Sequence, residues 1–276
     1  MGLLSIGATA ASFGRDLSFD LDRIAALIEA ARRSAVSLLV LPDAALGGYI
    51  DDLRNPDRSA LPPALALDDP HLRKVAELAG DMVVCLGFCE ADGDRRYNSA
   101  VCVTGDGILG HHRKVHQPAG ESAAYTAGDR FAAFDTPAGR LGMLIDYDKT
   151  FPESARTLAL DGAEILACLS AWPTSITNRA PKMAQDRQSR LFDLYDQARA
   201  AENQVVLVSS NQTGAHGRMR FLGQAKVVGP GGDILARTWS KAGLAVAALD
   251  VQAEIALARR ILNHLGELRP ASYQTR

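Results

Sequence analysis

Short apolar runs alternate along the chain with longer stretches in which apolar residues recur every three or four positions. The longer stretches predict amphipathic helices, whereas a short apolar run bounded by turn residues predicts a buried strand. One helix presents Ile24, Leu27, Ile28 and Ala31 on one face, and Ser18 is its predicted N-cap. Further helices are predicted at Pro70–Ala79, Pro152–Leu160, Lys182–Glu202 and Val251–Leu265. Strands are predicted at Leu3–Ala8, Val36–Leu41, Met82–Phe88, Ser99–Val103, Ile108–Leu109, Leu141–Ile145, Ile165–Leu169, Val205–Ser209, Ala225–Val228, Ile234–Arg237 and Leu244–Leu249.

The order of these elements mixes two kinds of connection. The turn at Gly105–Gly107 joins two strand-like runs, which predicts an antiparallel hairpin. Helices separate several other strands, as in the βα units that build a parallel sheet. No proline- or serine-rich linker, charge block or internal repeat divides the chain. We therefore predict an α/β fold in a single domain, residues 1–276, with a mixed sheet covered by helices.

The composition and charge of the chain limit the kinds of partner that this domain is expected to bind. The 30 basic and 32 acidic side chains leave a formal net charge of -2, which argues against a nucleic-acid partner and a basic membrane-binding surface. No apolar run reaches the length that spans a bilayer, and residues 1–13 lack the basic start of a signal peptide. Cys85, Cys89, Cys102 and Cys168 lie in strand-like stretches without metal-ligand spacing, as structural thiols do in a reducing compartment. We expect a cytoplasmic protein with a small-molecule partner.

Three polar residues follow predicted strands. Asp43 comes after LVLP, Lys114 after the hairpin strand, and Asp146 after GMLI. An aspartate after a strand is usually a turn residue, so none of them alone predicts a site. Because side chains converge on ligands at the carboxyl ends of strands, the three together predict one.

Each of these residues lies within a longer motif: VLPDAALGGY, HHRKVHQP or GMLIDYDKTFPE. The motifs resemble the Val-Phe-Pro-Glu, Tyr-Arg-Lys-x-His-Leu and Gly-x-x-Ile-Cys-Tyr-Asp-x-x-Phe-Pro-Glu segments of nitrilase-type carbon-nitrogen hydrolases. Gly120-Glu121 resembles the segment of the family's second glutamate. Other segments, including SAWP and the terminal RPASY, follow in the family's order, so the resemblance covers nearly the whole chain.

This resemblance implies a four-layer α-β-β-α sandwich that usually forms a homodimer or a larger homo-oligomer, with no cofactor and no metal. In the family's site, a glutamate takes the proton of a cysteine thiol and the thiolate attacks an amide or nitrile carbon. A lysine and a backbone N–H stabilise the charge that develops. By position, Lys114 matches the lysine, Glu121 the second glutamate, Asp43 the base and Asp146 the nucleophile. Pocket-lining positions in the same comparison are Tyr147, Ser170 and Trp172.

Asp43 and Asp146 both depart from the family's pattern. Asp43 shortens the base by one methylene, about 1 Å, a gap that a water could fill. Asp146 is the larger departure, since a carboxylate attacking an amide would form a mixed anhydride. In the tetrahedral adduct the carboxylate leaves more readily than an amine, so collapse returns the substrate. Ordinary amide hydrolysis by this covalent route should be slow or absent.

Three carboxyl groups around the single ammonium of Lys114 do not all ionise, so at least one should be protonated or should bind a cation. In one interpretation, a carboxylate activates a water that attacks a small amide, nitrile or related substrate. In a second, catalysis is lost and the protein binds a ligand or a partner. In a third, the carboxylates hold a divalent ion, although Lys114 would compete for the same charge. Asp146 could also be an engineered replacement for cysteine.

We favour altered chemistry, because Lys114 and Glu121 remain in otherwise intact motifs and a mere scaffold has no need of a buried ammonium. The neighbouring histidines, His111, His112 and His116, are expected to have structural roles, since no matching metal-ligand cluster exists elsewhere in the sequence. Cys168 lies between apolar residues and is expected to be a core thiol.

Overall fold

The computed structural model describes residues 2–273, and its helices and strands follow most of the predicted elements. The helices are α1 (Leu17–Arg33), α2 (Pro70–Ala79), α3 (Pro152–Leu160), α4 (Arg187–Asn203) and α5 (Val251–Ala258). The strands are β1 (Leu4–Ala11), β2 (Leu38–Val40), β3 (Val83–Asp92), β4 (Arg95–Thr104), β5 (Gly107–Arg113), β6 (Ala133–Thr136), β7 (Gly139–Ile145), β8 (Ile165–Ser170), β9 (Val206–Gln212), β10 (Ala215–His216), β11 (Met219–Arg220), β12 (Lys226–Val228), β13 (Ile234–Arg237) and β14 (Gly243–Leu249). Short 3-10 helices span Ala119–Ala123, Asp146–Thr150, Met183–Gln185 and Pro270–Ser272.

One twelve-stranded sheet runs through the molecule in the order β5-β4-β3-β2-β1-β9-β8-β7-β6, with β12, β13 and β14 branching from it. The central strand β1 is parallel to β2 and β9 and antiparallel to β14. Its pairing with β9 involves only the last residues of β1, Ala10 and Ala11. The two halves of the sheet therefore separate along the rest of β1 and face each other.

Successive residues of a strand point to opposite faces of the sheet, so the apolar residues lie in separate layers. In β2, Leu38 and Val40 point into the core between the two half-sheets, where they meet Ile145 of β7 and Val208 of β9. Leu39 points the other way, toward α1 and α2. Both faces of the strand are thus buried, which explains why it reads as a continuous apolar run rather than an alternating one.

Helices close both outer faces of the sheet. Ile28 of α1 and Val75 of α2 pack on the half that contains β2 and β3. Leu158 of α3 and Ala200 of α4 pack on the half that contains β7, β8 and β9. The layers run α-β-β-α, which confirms the predicted fold class.

Several predicted boundaries were wrong, and at the helices the side chains that cap the ends account for the differences. Ser18 is not the cap of α1: the carboxylate of Asp16 accepts from the backbone N–H of Ser18 at 3.0 Å. The long helix begins at Arg187 rather than Lys182, because Asp186 caps it by accepting from Gln188.

The last helix, α5, stops at Ala258 instead of continuing to Leu265. The Gln204 side chain accounts for this early end, because its Nε2 donates to the carbonyls of Ala258 at 2.8 Å and Leu262 at 2.7 Å. The strands β3 and β4 extend beyond the predicted Met82–Phe88 and Ser99–Val103, because they form one long hairpin. The short strands β6, β10 and β11 were not predicted. No helix within residues 2–273 is long and apolar enough to cross a membrane.

Gly87 of β3 lies against the backbone of the loop that carries Asp43. A Cβ atom added there would lie 2.6 Å from Ala44 N and 2.7 Å from Asp43 Cα. Gly87→Ala is expected to lower the free energy of unfolding by about 1–3 kcal/mol, because backbone rather than a flexible side chain must move. Gly229→Ala is the matched control, since its Cβ would meet only the side chain of Leu235 at an ordinary 3.5 Å. Urea denaturation of both variants checks this, and equal midpoints would contradict it.

Candidate active site

The structure brings together the four residues that were predicted to form the site: Asp43, Lys114, Glu121 and Asp146. Lys114 Nζ lies 2.8 Å from Glu121 Oε2 and 3.3 Å from Asp146 Oδ2. Asn98 of β4 connects the remaining carboxyl group to this pair, because its Nδ2 donates to Asp43 Oδ2 at 3.0 Å and lies 3.4 Å from Glu121 Oε1. One ammonium is therefore surrounded by three carboxyl groups.

Burial and charge set the protonation of this cluster. Burial raises the pKa of Asp43 to about 8, although the attraction of Lys114 opposes the shift. Burial likewise raises the pKa of Glu121, again against the attraction of Lys114. For Lys114, burial favours the neutral amine, but Glu121, Asp146 and Asp43 outweigh it and raise its pKa above the usual range. At neutral pH Lys114 is thus charged and Asp43 is protonated, as expected for three carboxyl groups around one cation.

Tyr49 completes the surroundings of Glu121. Its hydroxyl donates to Glu121 Oε1. Burial raises the pKa of Tyr49 well above its usual value, so the hydroxyl keeps its proton and remains a donor. Tyr49 and Asn98 were both missed in the sequence. Tyr49 ends the motif VLPDAALGGY, whereas Asn98 lies inside a strand without any local signal.

The backbone at Asp146 has a φ of +49°, the left-handed region that a residue with a side chain seldom adopts. Asp148 holds this turn, because its carboxylate accepts from the backbone N–H of Ile145 at 3.2 Å and of His116 at 2.9 Å. The same carboxylate lies 3.0 Å from His112 Nε2. Burial opposes the ionisation of Asp148, but the hydrogen bonds from His112 and His116 lower its pKa below the usual range. Asp148 thus ties the Asp146 turn to the loop after Lys114.

The histidines near Lys114 have the structural roles that were predicted. His112 and His116 both contact Asp148, and His111 Nε2 lies 2.8 Å from Glu90 Oε2. Cys168 is fully buried in the core, again as predicted. Within residues 2–273, no group of three or more His, Cys, Asp or Glu side chains is arranged to hold a metal ion.

A second buried charge cluster holds the Asp146 turn from the other side. Lys149 Nζ donates to Asp196 Oδ1 at 2.7 Å, and Lys226 Nζ donates to Asp196 Oδ2 at 2.6 Å. The ammonium groups lie 3.3 Å and 3.9 Å from the centroid of the Phe192 ring. Burial opposes ionisation of Asp196, but the two lysines outweigh it and lower the pKa of this carboxyl. No local pattern signals the cluster, because Lys149 and Asp196 lie 47 positions apart.

A pocket of about 270 Å³ opens beside Asp146. Tyr147 and Trp172 line it, as predicted, together with Thr174 and Gln188. The rest of the lining is mostly apolar and includes Leu53, Pro118 and Ile176.

Of the four clustered residues, only Asp146 belongs to this lining. The Asp146 side chain is 6% exposed, whereas the side chains of Lys114 and Glu121 are 0% exposed and Asp43 is fully buried. Asp146 therefore stands between the pocket and the other three residues. Ser170 is a correction to the sequence prediction: it is fully buried, and its Oγ lies 3.7 Å from Cys168 Sγ instead of lining the pocket.

The sequence and the fold match a known class of enzyme. The sequence pattern of the family described as Carbon-nitrogen hydrolase matches residues 8–259. The chain belongs to the carbon-nitrogen hydrolase family, which confirms the resemblance seen in its motifs.

Relatives of the chain carry the names of nitrilases and amidases. A nitrilase from Pyrococcus abyssi is 31% identical over 76% of this chain and 74% of its own length. An N-carbamoylputrescine amidase from Solanum tuberosum is 28% identical over 87% of this chain and 83% of its own. The crystal structure of a carbon-nitrogen hydrolase from Helicobacter pylori G27 has a TM-score of 0.86 at 26% identity, over 99% of this chain and 97% of that one. The protein thus falls among hydrolases of carbon-nitrogen bonds other than peptide bonds.

Proposed function

We propose that the protein hydrolyses a carbon-nitrogen bond of a small amide, nitrile or related compound without forming a covalent intermediate, with Asp146 activating a water. The position of Asp146 carries this proposal, because it alone of the four residues lines the pocket. Lys114 contacts Asp146 Oδ2, and Asp146 Oδ1 has no hydrogen-bond partner among the described residues. Oδ2 is therefore paired with Lys114, whereas Oδ1 is buried without a donor from the described residues, so this carboxylate keeps an acceptor for a proton.

For an amide, the reaction is written with Asp146 as the proton carrier. Asp146 Oδ1 accepts a proton from water while the water oxygen bonds to the carbonyl carbon and the carbonyl electron pair moves to its oxygen. Asp146 then returns the proton to nitrogen as the carbon-nitrogen bond breaks, which releases an amine or ammonia and a carboxylic acid. On a nitrile, the same addition of water yields an amide. Because Asp146 never bonds to carbon, the unfavourable anhydride does not arise.

The three buried residues hold Asp146 in place. Lys114 contacts Asp146 Oδ2 directly at 3.3 Å. Glu121, which contacts Lys114 through both oxygens, keeps that ammonium in place. Asp43 is protonated at neutral pH, so it adds no further negative charge beside Asp146.

The test compares the unaltered protein with Asp146→Asn. It measures release of ammonia from small amides and N-carbamoyl compounds, and formation of the amide from nitriles. General-base catalysis typically contributes about 10²- to 10⁴-fold, so the asparagine variant is expected to lose at least about 10²-fold of the turnover. Repeated turnover in ¹⁸O-labelled water followed by mass spectrometry of the Asp146 peptide distinguishes the routes. Label in Asp146 would contradict the non-covalent route, because only an acyl-aspartate places water oxygen in that side chain.

The second candidate function is ligand binding without catalysis. The contact of Lys114 with both Glu121 and Asp146 favours it, since an ammonium held in this way is sealed from the pocket. Asp146→Cys separates the candidates: an inert unaltered protein with an active cysteine variant would favour a binding protein. The same result is expected if Asp146 is an engineered replacement for cysteine. The homo-oligomer and the cytoplasmic location stay predictions.

A further inference from the structure

Among the residues that the structure describes, the lining of the pocket contains an acidic side chain and no basic one. Asp146 is its single charged lining residue within the described chain, and the other polar groups there are the neutral Thr174, Thr177 and Gln188 and the phenol of Tyr147. Lys114 does not reach the lining, because it lies behind Asp146 with no exposed side-chain surface. A ligand therefore meets a carboxylate and no cation.

The acidic groups behind the pocket outnumber the basic ones. The single ammonium of Lys114 contacts Glu121 and Asp146, and Asn98 links a third carboxyl group, that of Asp43, to this cluster. A buried charge without a counterion is unfavourable, so a cation beside Asp146 would stabilise the cluster.

The neighbouring charge cluster cannot supply this cation. Its two ammonium groups, on Lys149 and Lys226, are matched by the carboxylates of Asp196 and Asp193. Both lysine side chains are 0% exposed, so neither one reaches the pocket. These lysines therefore offer no counterion to the acidic groups beside the pocket.

We propose that the pocket selects a small compound whose reacting group is a cationic amidinium, which donates an N–H to the carboxylate of Asp146. This inference rests on the proposed function, since it names the substrate class of the same site. Neutral amides bind more weakly, and compounds that carry a carboxylate in the pocket are rejected by the charge of Asp146.

Two residues that line the pocket each keep a side-chain oxygen that is not hydrogen-bonded. These are Asp146 Oδ1 and Thr174 Oγ1, both buried and both without a partner among the described residues. An amidinium is planar and carries N–H donors on both nitrogens, so it supplies donors for acceptors of this kind. Tyr147 and Trp172 add aromatic surface to the lining, which suits a planar cation.

An amidinium also suits a site whose lysine is withdrawn from the pocket. Its carbon already carries part of a positive charge, so attack by water generates no oxyanion for Lys114 to stabilise. Asp146 accepts a proton as the water oxygen bonds to this carbon, which gives a neutral tetrahedral adduct. Asp146 returns its proton to one nitrogen, the bond from that nitrogen to carbon breaks, and the hydroxyl proton of the adduct passes to the departing ammonia. An amidinium and water thus yield an amide and an ammonium ion. An aspartate at this position therefore has two roles toward a cationic substrate. Its charge attracts the bound cation, and its carboxylate activates the water that attacks it.

The test uses three probes of matched shape and equal numbers of non-hydrogen atoms: benzamidine, benzamide and benzoate. Calorimetric titration of the whole protein at neutral pH is expected to show benzamidine binding at least about tenfold more tightly than benzamide, with benzoate not bound. In Asp146→Asn the preference for benzamidine is expected to vanish, while the affinity for benzamide changes by less than about threefold. Asp81→Asn, which removes the same charge from an exposed position, is expected to keep the preference.

Two results would overturn the inference: benzamide binding as tightly as benzamidine, or an undiminished preference in Asp146→Asn. Thr174→Val gives a second check. Loss of the Thr174 hydroxyl should weaken the binding of benzamidine more than the binding of benzamide. Ammonia release is followed separately. Preference for the cation without ammonia release from any compound would contradict the proposed function and support this ligand class. Hydrolysis of neutral amides with no preference for the cation would contradict this inference alone.

Discussion

Asp196→Ala is expected to lower the free energy of unfolding by about 3–5 kcal/mol, because the substitution leaves two buried ammonium groups without their shared carboxylate. Lys149 and Lys226 are both fully buried, and each lies within 2.7 Å of an Asp196 oxygen. Neither side chain can move to water without opening the core around Phe192. Chemical denaturation at neutral pH measures the loss.

The matched control is Asp193→Ala. Asp193 also contacts Lys226, at 3.1 Å, but its side chain is 28% exposed. Because solvent screens this contact, Asp193→Ala is expected to lower the free energy of unfolding by about 1 kcal/mol or less. A triple variant with Lys149→Met, Asp196→Leu and Lys226→Met should recover most of the stability, since apolar residues remove all the buried charges together. A loss for Asp196→Ala no larger than that of the control would contradict this account of the cluster.

Asp196→Ala should also disturb the site, because Lys149 belongs to the 3-10 helix that begins at Asp146. Arg199 holds the same helix from α4 by donating to the carbonyl of Lys149 at 2.8 Å. A looser turn would raise the mobility of Asp146 without removing any group that contacts a ligand. Binding of benzamidine is therefore expected to weaken in this variant, even at temperatures where the protein remains folded.

Asp43→Asn is expected to stabilise the protein increasingly as the pH rises. In the folded protein, burial raises the pKa of Asp43 from its ordinary 3.8 to about 8. Below about pH 4 the carboxyl is protonated in both the folded and the unfolded chain, so it adds no pH dependence there. Between about pH 4 and pH 8 only the unfolded chain ionises, which favours unfolding by up to about 1.4 kcal/mol per pH unit. Above about pH 8 both states are ionised and the dependence ends.

The asparagine variant lacks this titration but keeps an oxygen that can accept from Asn98. The difference in free energy of unfolding, variant minus unaltered protein, should therefore grow from about pH 4 to about pH 8 and then level off. Urea denaturation at a series of pH values measures it. The exposed Asp81→Asn serves as control and should give a nearly constant difference. A difference that grows as the pH falls would show instead that Asp43 is an ionised, stabilised carboxylate.

Much of the fold could be predicted from the sequence because its strongest signals are local. The helix Pro70–Ala79 has the predicted bounds, since an apolar face, Pro70 at its start and Gly80 after its end all lie within the segment. Val36–Leu41 was correctly placed as a buried strand, but pairing restricts the strand to Leu38–Val40. Where the bounds failed most, as at the end of α5, the cap came from a residue distant in sequence. Gln204 lies 54 positions before Ala258, which its side chain contacts.

The residues of the candidate site also differ in whether the sequence could predict them. Asp43, Lys114 and Asp146 could be found because each follows a strand within a short motif, and Glu121 because Gly120-Glu121 resembles a segment of the family. Asn98 could not, because it lies 55 positions from Asp43, with which it pairs only when β4 packs beside that loop.

The sequence by itself thus determined the α/β class, the family and the four residues that converge. Only the tertiary structure decided how those residues are arranged with respect to the pocket. It places Asp146 at the pocket surface, seals Lys114, Glu121 and Asp43 behind it, and removes Ser170 from the lining. The reason is physical: a side chain's burial, and with it its protonation, depends on segments that pack around it from throughout the chain.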